Sequence, residues 1–300
     1  DDMRKGSYML PYYKILPKSC NHFPVLWSKK TLSLLQGSAM VRKIDDRKKK
    51  IRHDYDEIIN LCPEFKNEYT YDEFLFTRLI VGSRNFCIDI NGVRRSAMVP
   101  YCDMLNHSLQ PNVKWYYDNE KTAFVMDTTR VIEEGGEITD TYGDKCNSLL
   151  LLFYGFALPD NKSNTLNVHC IRYGQIDDKE IEISGTLTND IESHFALKFF
   201  TFLRALNGGT EDKECVDYTK FISEQNEYAM LQSLSDHMRE LANKYLFTRS
   251  KIQDLIDRNT VTGPDYAALI LIKGELDIIH LYYEYAEKRL RNMSKITNNI

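Results

Sequence analysis

Apolar residues follow two different rhythms along the chain, and the change between them divides it. From Ser28 to about Leu61 the spacing is helical, with Leu32, Leu35 and Met40 recurring behind Ser28, whose hydroxyl suits an N-cap. Thr70 opens a second helix, with Glu73 placed for a capping box and Phe74, Phe76, Leu79 and Ile80 as apolar positions. Residues 86–160 read differently. Short runs at Phe86–Ile90, Ala97–Val99, Val113–Tyr117, Ala123–Met126 and Ile138–Tyr142 read as strands, between turn signals at Asn91-Gly92, Asp118-Asn119 and Gly135-Gly136. Asn91-Gly92 predicts a two-residue hairpin. A short helix is expected at Asn147–Tyr154 and a boundary at Pro159-Asp160-Asn161. Leu166–Arg172 and Glu180–Ser184 follow as strands. Helical spacing then governs from Asp190 to the end, broken at Asn207-Gly208-Gly209 and Gly263-Pro264. In the last helix Asp265 is the expected cap and Leu269, Ile272, Leu276, Ile279, Tyr283, Ala286 and Leu290 form the apolar face. Glu275, Glu284, Glu287, Lys288 and Arg291 form its polar face.

Composition narrows the class. Of 300 residues 43% are hydrophobic and 27% charged, enough apolar material for a core and too much for a disordered chain. Net charge is -4, the wrong sign for a protein held to nucleic acid by bulk charge. The basic run Arg42, Lys43, Arg47, Lys48, Lys49, Lys50 and Arg52 reads as a solvated helix face, the alternative being a contact surface for an acidic partner. The apolar run Leu149–Phe153 is too short to span a bilayer, and the first residues carry no signal-type stretch. Seven cysteines without a Cys-x-x-Cys pair fit a reducing compartment and supply no zinc framework, so a cytoplasmic or nuclear location is expected and no metal.

Generic catalytic signatures are absent: there is no Gly-x-Ser-x-Gly, His-Glu-x-x-His, Walker loop or Gly-x-Gly-x-x-Gly. Two polar-aromatic clusters stand out instead. The first is Val99-Pro100-Tyr101-Cys102-Asp103-Met104-Leu105-Asn106-His107. The second is Gly135-Gly136-Glu137-Ile138-Thr139-Asp140-Thr141-Tyr142-Gly143, with Tyr154-Gly155-Phe156 behind it. Together they resemble the signature of the SET-domain protein methyltransferases, in which the two segments thread through each other as a pseudoknot beside S-adenosylmethionine. Tyr12–Pro17, Trp27-Ser28, Leu35-Gln36-Gly37, Ser83-Arg84-Asn85-Phe86 and Asn147 are similar to the RuBisCO large-subunit methyltransferase class.

The resemblance implies an α+β chain: a β-rich SET domain over 1–162 with a helical insertion at about 28–82, then a mostly helical substrate-binding domain over 163–300. It implies an S-adenosylmethionine-dependent protein-lysine N-methyltransferase. Arg84 would meet the cofactor carboxylate, while Asp103, Met104, Leu105, Asn106, His107, Tyr142 and Phe156 would hold the cofactor. Tyr142 and Tyr154 would be catalytic, and Phe86 and Tyr154 would wall the amine channel. The partner is a protein substrate bound partly by the C-terminal helices, with no nucleic acid and no membrane. The class carries a Gly-x-Gly turn before the position of Tyr12. No Gly-x-Gly occurs here, so the chain reads as lacking its first SET strands, the alternative being a chain that cannot bind the cofactor normally. Lys145-Cys146 stands where the class often has Arg or Lys followed by Ser. Two alternatives stay open: the histidine-methylating branch, which typically has Asn at the position of Phe86, and a non-catalytic interaction module.

Overall fold

The computed structural model describes residues 6–170, 179–184, 194–208 and 216–297. The chain divides into two compact units, one of residues 1–26 and 46–145, the other of 27–45 and 146–300. The division that the resemblance implies lies at 162, whereas compactness groups 27–45 and 146–162 with the C-terminal helices.

The first unit begins with α1 (Leu10–Ile15) and a 3-10 turn at Pro24–Leu26. It takes most of α3 (Met40–Leu61), then α4 (Phe65–Glu68) and α5 (Tyr71–Arg84). Along α3, Ile51 and Tyr55 are buried, and the Tyr55 ring packs against Phe65, Tyr71 and Phe74. The basic residues Lys49, Lys50 and Arg52 face solvent. Thr70 and Glu73 form the expected capping box: Thr70 Oγ1 accepts from the Glu73 amide while the Glu73 carboxylate accepts from the Thr70 amide. Three small sheets follow. β1 (Asn85–Ile90) and β2 (Val93–Met98) pair antiparallel through Asn91-Gly92, whose φ angles of 52° and 79° give the turn the right twist for a two-residue hairpin. β4 (Val113–Asp118) and β5 (Ala123–Thr128) form a second antiparallel pair. Between them in sequence lies β3 (Asn106–His107), which pairs in parallel with β6 (Thr139–Asp140).

The expected strand Ile138–Tyr142 is therefore only two residues long. Its partner β3 is equally short, and beyond it the Tyr142 amide donates to the His107 imidazole rather than to a ladder carbonyl.

In the second unit the expected helix from Ser28 is broken. Ser28 caps α2 (Lys29–Ser33), but the chain then turns at Gly37 before α3 begins at Met40. Gly37 has φ +93°, and a Cβ there would lie 2.8 Å from the backbone of Lys244 and Tyr245. α6 (Asn147–Tyr154) occupies its expected bounds and ends on left-handed Gly155. β7 (Thr165–Cys170) pairs with β8 (Lys179–Ser184), followed by α7 (His194–Leu206), α8 (Glu224–Ala242), α9 (Arg249–Asp257) and α10 (Gly263–Thr297). The expected strand end at Arg172, the helix start at Asp190 and Gly209 lie outside the described residues.

The expected break at Gly263-Pro264 falls between α9 and α10, with the pair itself in the first turn of α10, where proline forfeits only an amide that has no intrahelical partner. Asp265 consequently sits inside the first turn instead of capping it. α10 is not simply two-faced. Every residue from Ala267 to Ile272 is buried, since α2, α6, α8 and α9 all pack on this helix. Tyr282 is fully buried and Tyr283 is not; Glu275, expected on the polar face, is only 6% exposed.

Asn147 knits α6 to the following loop. Its Nδ2 donates to the Leu158 carbonyl at 2.9 Å, and its Oδ1 accepts from the Leu158 amide at 3.0 Å and the Asn161 side chain at 3.0 Å. Asn147→Ala is expected to cost about 2–3 kcal/mol by orphaning these groups, read from urea midpoints. Asn147→Asp should recover little, because a carboxylate cannot donate to the Leu158 carbonyl; full recovery would show that the donor bond is dispensable.

Candidate active site

The site in the first unit starts where a helix becomes a strand. Arg84 is the last residue of α5, and Asn85 beside it is already extended. The carbonyl end of a helix favours a cation there. Arg84 Nη1 donates to the Asp103 carbonyl at 2.7 Å and to Met104 Sδ at 3.3 Å, and lies 3.5 Å from Asp103 Oδ2. Nε and Nη2 of the guanidinium have no hydrogen-bond partner among the described residues.

Asp103 and Met104 belong to a 3-10 turn, Cys102–Met104, entered through Tyr101 at φ +70°. This turn carries the Asp103 side chain inward to zero exposure. There Oδ2 accepts from the buried Tyr12 hydroxyl at 2.5 Å.

β3 and β6 then fix the second half of the site. Their parallel register sets Asn106 against Thr139 and His107 against Asp140. The Tyr142 hydroxyl donates to the Leu105 carbonyl at 2.8 Å, and His107 Nδ1 accepts from the Tyr142 amide at 3.0 Å. Burial, reinforced by the Lys145 charge, lowers the His107 pKa. The imidazole therefore favours the neutral form, which can keep Nδ1 as an acceptor. Asn106 Nδ2 donates to Glu137 Oε1 at 2.7 Å.

Phe86, on β1, packs edge-on against Trp115 and Phe124 with ring centroids 5.2 and 5.1 Å away. Burial raises the pKa of Asp140, against the lowering influence of the Trp115 side chain and the Thr141 amide. The aromatic wall around Phe86 thus consists of Trp115 and Phe124.

Tyr154 and Phe156 belong to the second unit, at the end of α6 and just beyond it. Gly155 in the left-handed region turns the chain between them, leaving the ring centroids 6.4 Å apart. Burial pushes the Tyr154 phenol up.

The first unit therefore gathers Arg84, Asp103, Met104, Leu105, Asn106, His107 and Tyr142. Sequence reasoning missed four contributors. Tyr12 was legible only as part of a motif, and Trp115 and Phe124 only as alternating strand residues. Asn112 was missed as well: buried, it donates to the Glu137 carbonyl and accepts from the Thr139 amide, both at 2.8 Å, and so holds the strand that carries Tyr142. Its place in Pro111-Asn112, six residues after Asn106, was the available signal. Among the described residues no group of three or more His, Cys, Asp or Glu could hold a metal ion, and no helix is long and apolar enough to cross a membrane.

Comparison with known proteins agrees with this geometry. Residues 2–143 match the SET domain family. The ribosomal lysine N-methyltransferase set10 of Schizosaccharomyces pombe is 25% identical over 197 residues, covering 63% of this chain and 35% of that protein. The N-lysine methyltransferase SETD6 of Homo sapiens is 24% identical over 254 residues, covering 78% of this chain and 52% of that one. The chain thus spans a third to a half of the length of these relatives. The SET domain of LSMT, in a crystal structure bound to MeLysine and AdoHcy, superposes with a TM-score of 0.76 at 18% identity, over 97% of this chain and 73% of that one. Rubisco LSMT bound to AdoMet gives 0.75 at 17% identity, over 98% and 74%. Residues 2–143, with their parallel pairing of β3 and β6, are similar to SET domains, and the chain shares the α+β fold of the LSMT structures.

Proposed function

We propose that the chain is an S-adenosylmethionine-dependent protein-lysine N-methyltransferase. The observation that carries this reading is the guanidinium of Arg84, anchored among the described residues through Nη1 alone, beside the turn that leads into Asn106-His107. A fork with Nε and Nη2 uncommitted suits a carboxylate, which is what the amino-acid end of this cofactor presents. The residues present fit the group. Arg84 would take its carboxylate, and Met104, Leu105, Asn106 and His107 would hold the rest. Bound S-adenosylmethionine would supply a methyl group already activated on a sulfonium.

What remains for the protein is positioning and desolvation. The Tyr142 hydroxyl donates to the Leu105 carbonyl, which fixes its orientation; so held, the oxygen would accept from an amine and favour the cationic methyl in transit. The cluster of Phe86, Trp115 and Phe124 would supply an apolar wall, which disfavours the charged form of a lysine and so promotes the neutral nucleophile. Phe86 offers an imidazole no hydrogen bond, which favours lysine over histidine as the target. From the resemblance alone, Tyr154 keeps the role of a channel residue and Phe156 that of a cofactor residue. The helical region after 163 would recruit the protein substrate, in the cytoplasm or nucleus.

Calorimetric titration with S-adenosylmethionine, and transfer of a labelled methyl group to a lysine-bearing protein, test the proposal; no binding by the chain would sink it. Tyr142→Phe should keep the melting temperature close to the parent's. It should also cut methyl transfer at least tenfold, or about 1.4 kcal/mol in barrier. Unchanged turnover would remove Tyr142 from the mechanism.

A further inference from the structure

The segment around Tyr12 has no part in the reading above, yet its phenol reaches the centre of the cofactor loop. Tyr12 is 4% exposed, and its hydroxyl donates to Asp103 Oδ2 at 2.5 Å, a contact between residues 91 positions apart. The Asp103 side chain has zero exposure. Its other oxygen, Oδ1, is buried with no hydrogen-bond partner among the described residues. The carboxylate is therefore held through Oδ2 alone, by the Tyr12 hydroxyl and, at 3.5 Å, by Arg84. A desolvated carboxylate requires such partners.

These two partners compete for one oxygen, and that competition has a consequence for the ligand. While the phenol takes the short bond, the guanidinium stays at 3.5 Å and spends only Nη1 on the Asp103–Met104 turn. Nε and Nη2 keep no protein partner among the described residues. Without the phenol, the buried carboxylate would have only Arg84 to neutralise it, and Arg84 lies close enough to pair with it bidentately. That pairing would consume the arms left for an incoming carboxylate.

We propose that Tyr12 is a positioning residue. By occupying Asp103 Oδ2, it keeps the Arg84 fork open for the carboxylate of an amino-acid-bearing ligand. The inference rests on the cofactor reading above and adds the residue that keeps Arg84 available. It distinguishes Tyr12 from a packing residue, whose loss would affect all ligands of the site alike.

The test uses two ligands that share the adenosine and sulfur but differ in the amino-acid end, titrated calorimetrically into the whole chain. S-adenosylhomocysteine carries the carboxylate; 5′-methylthioadenosine does not. Tyr12→Phe is expected to weaken S-adenosylhomocysteine roughly tenfold, in line with loss of one charge-assisted contact, and to leave 5′-methylthioadenosine within about twofold. Arg84→Ala should show the same selectivity with a larger loss. Equal weakening of both ligands by Tyr12→Phe would make Tyr12 structural and overturn the inference, as would no weakening of either. An Arg84→Ala variant that binds S-adenosylhomocysteine like the parent, or a parent that does not bind it, would overturn the cofactor reading and this inference with it. If Tyr12→Phe does not fold, Asp103→Asn is titrated with the same two ligands, and the opposite pattern is expected. It removes the charge that would capture Arg84, so Arg84 should remain available and the losses for the two ligands should be alike. A loss confined to S-adenosylhomocysteine in Asp103→Asn would show that the Asp103 charge itself serves the ligand, against the competition argued here.

Discussion

From about pH 5 to about pH 8 the chain is expected to lose about 3 kcal/mol of stability through Glu275, and Glu275→Gln is expected to abolish that loss. Glu275 lies inside the second unit, where its carboxylate accepts from Ser38 Oγ at 2.8 Å and from the Tyr245 hydroxyl at 3.0 Å. Burial is the dominant influence and raises its pKa from 4.5 to about 7, against the two hydrogen bonds and the Lys43 charge, which lower it. The sign follows directly. Between 4.5 and about 7 the folded chain still binds a proton that the unfolded chain has released, so stability falls as pH rises through that window and stays low above it. Glutamine keeps the shape and can still accept from Tyr245 while donating to Ser38. Urea midpoints across the window should therefore fall in the parent and stay flatter in the variant, with Glu275→Gln the more stable protein at the alkaline end. A parallel fall in both would assign the pH dependence elsewhere.

Gly37→Ala should cost about 3 kcal/mol or more, through two separate effects. A non-glycine residue at φ +93° carries a conformational penalty of about 1–2 kcal/mol. The added Cβ would also lie 2.8 Å from the backbone of Lys244 and Tyr245, and such overpacking costs about 1–3 kcal/mol more. The approach matters because Ser38 and Tyr245, the immediate neighbours on either side, are the two groups that hold Glu275. Gly92→Ala is the matched control. It too has positive φ, at +79°, but a Cβ there meets nothing within 4 Å, so only the conformational cost applies. Equal losses at Gly37 and Gly92, measured by urea unfolding, would show that the close approach contributes nothing.

Local chemistry was legible from the residues themselves. The Thr70–Glu73 capping box, the Ser28 cap, the Asn91-Gly92 hairpin and the bounds of α6 each depend on groups a few positions apart, and each stands where the spacing put it. The polar-aromatic motifs also marked two segments that the fold joins, because Asn106-His107 and Thr139-Asp140 pair in parallel.

What only the tertiary structure decided involves partners distant in sequence. Glu275 has charged residues of α10 around it in sequence and reads as polar surface, yet Ser38, 237 positions away, and Tyr245 satisfy it in the interior. The break at Gly37 has its cause at Lys244, and the all-round burial of Ala267–Ile272 in α10 follows from four helices packing around it. Tyr12 reads as one aromatic in a proline-flanked segment; only its 2.5 Å bond to Asp103 gives it a role beside Arg84. Periodicity records how much apolar surface a segment must bury, so it determines the elements. Which buried polar group meets which partner depends on where the chain returns, and no short-range pattern encodes that.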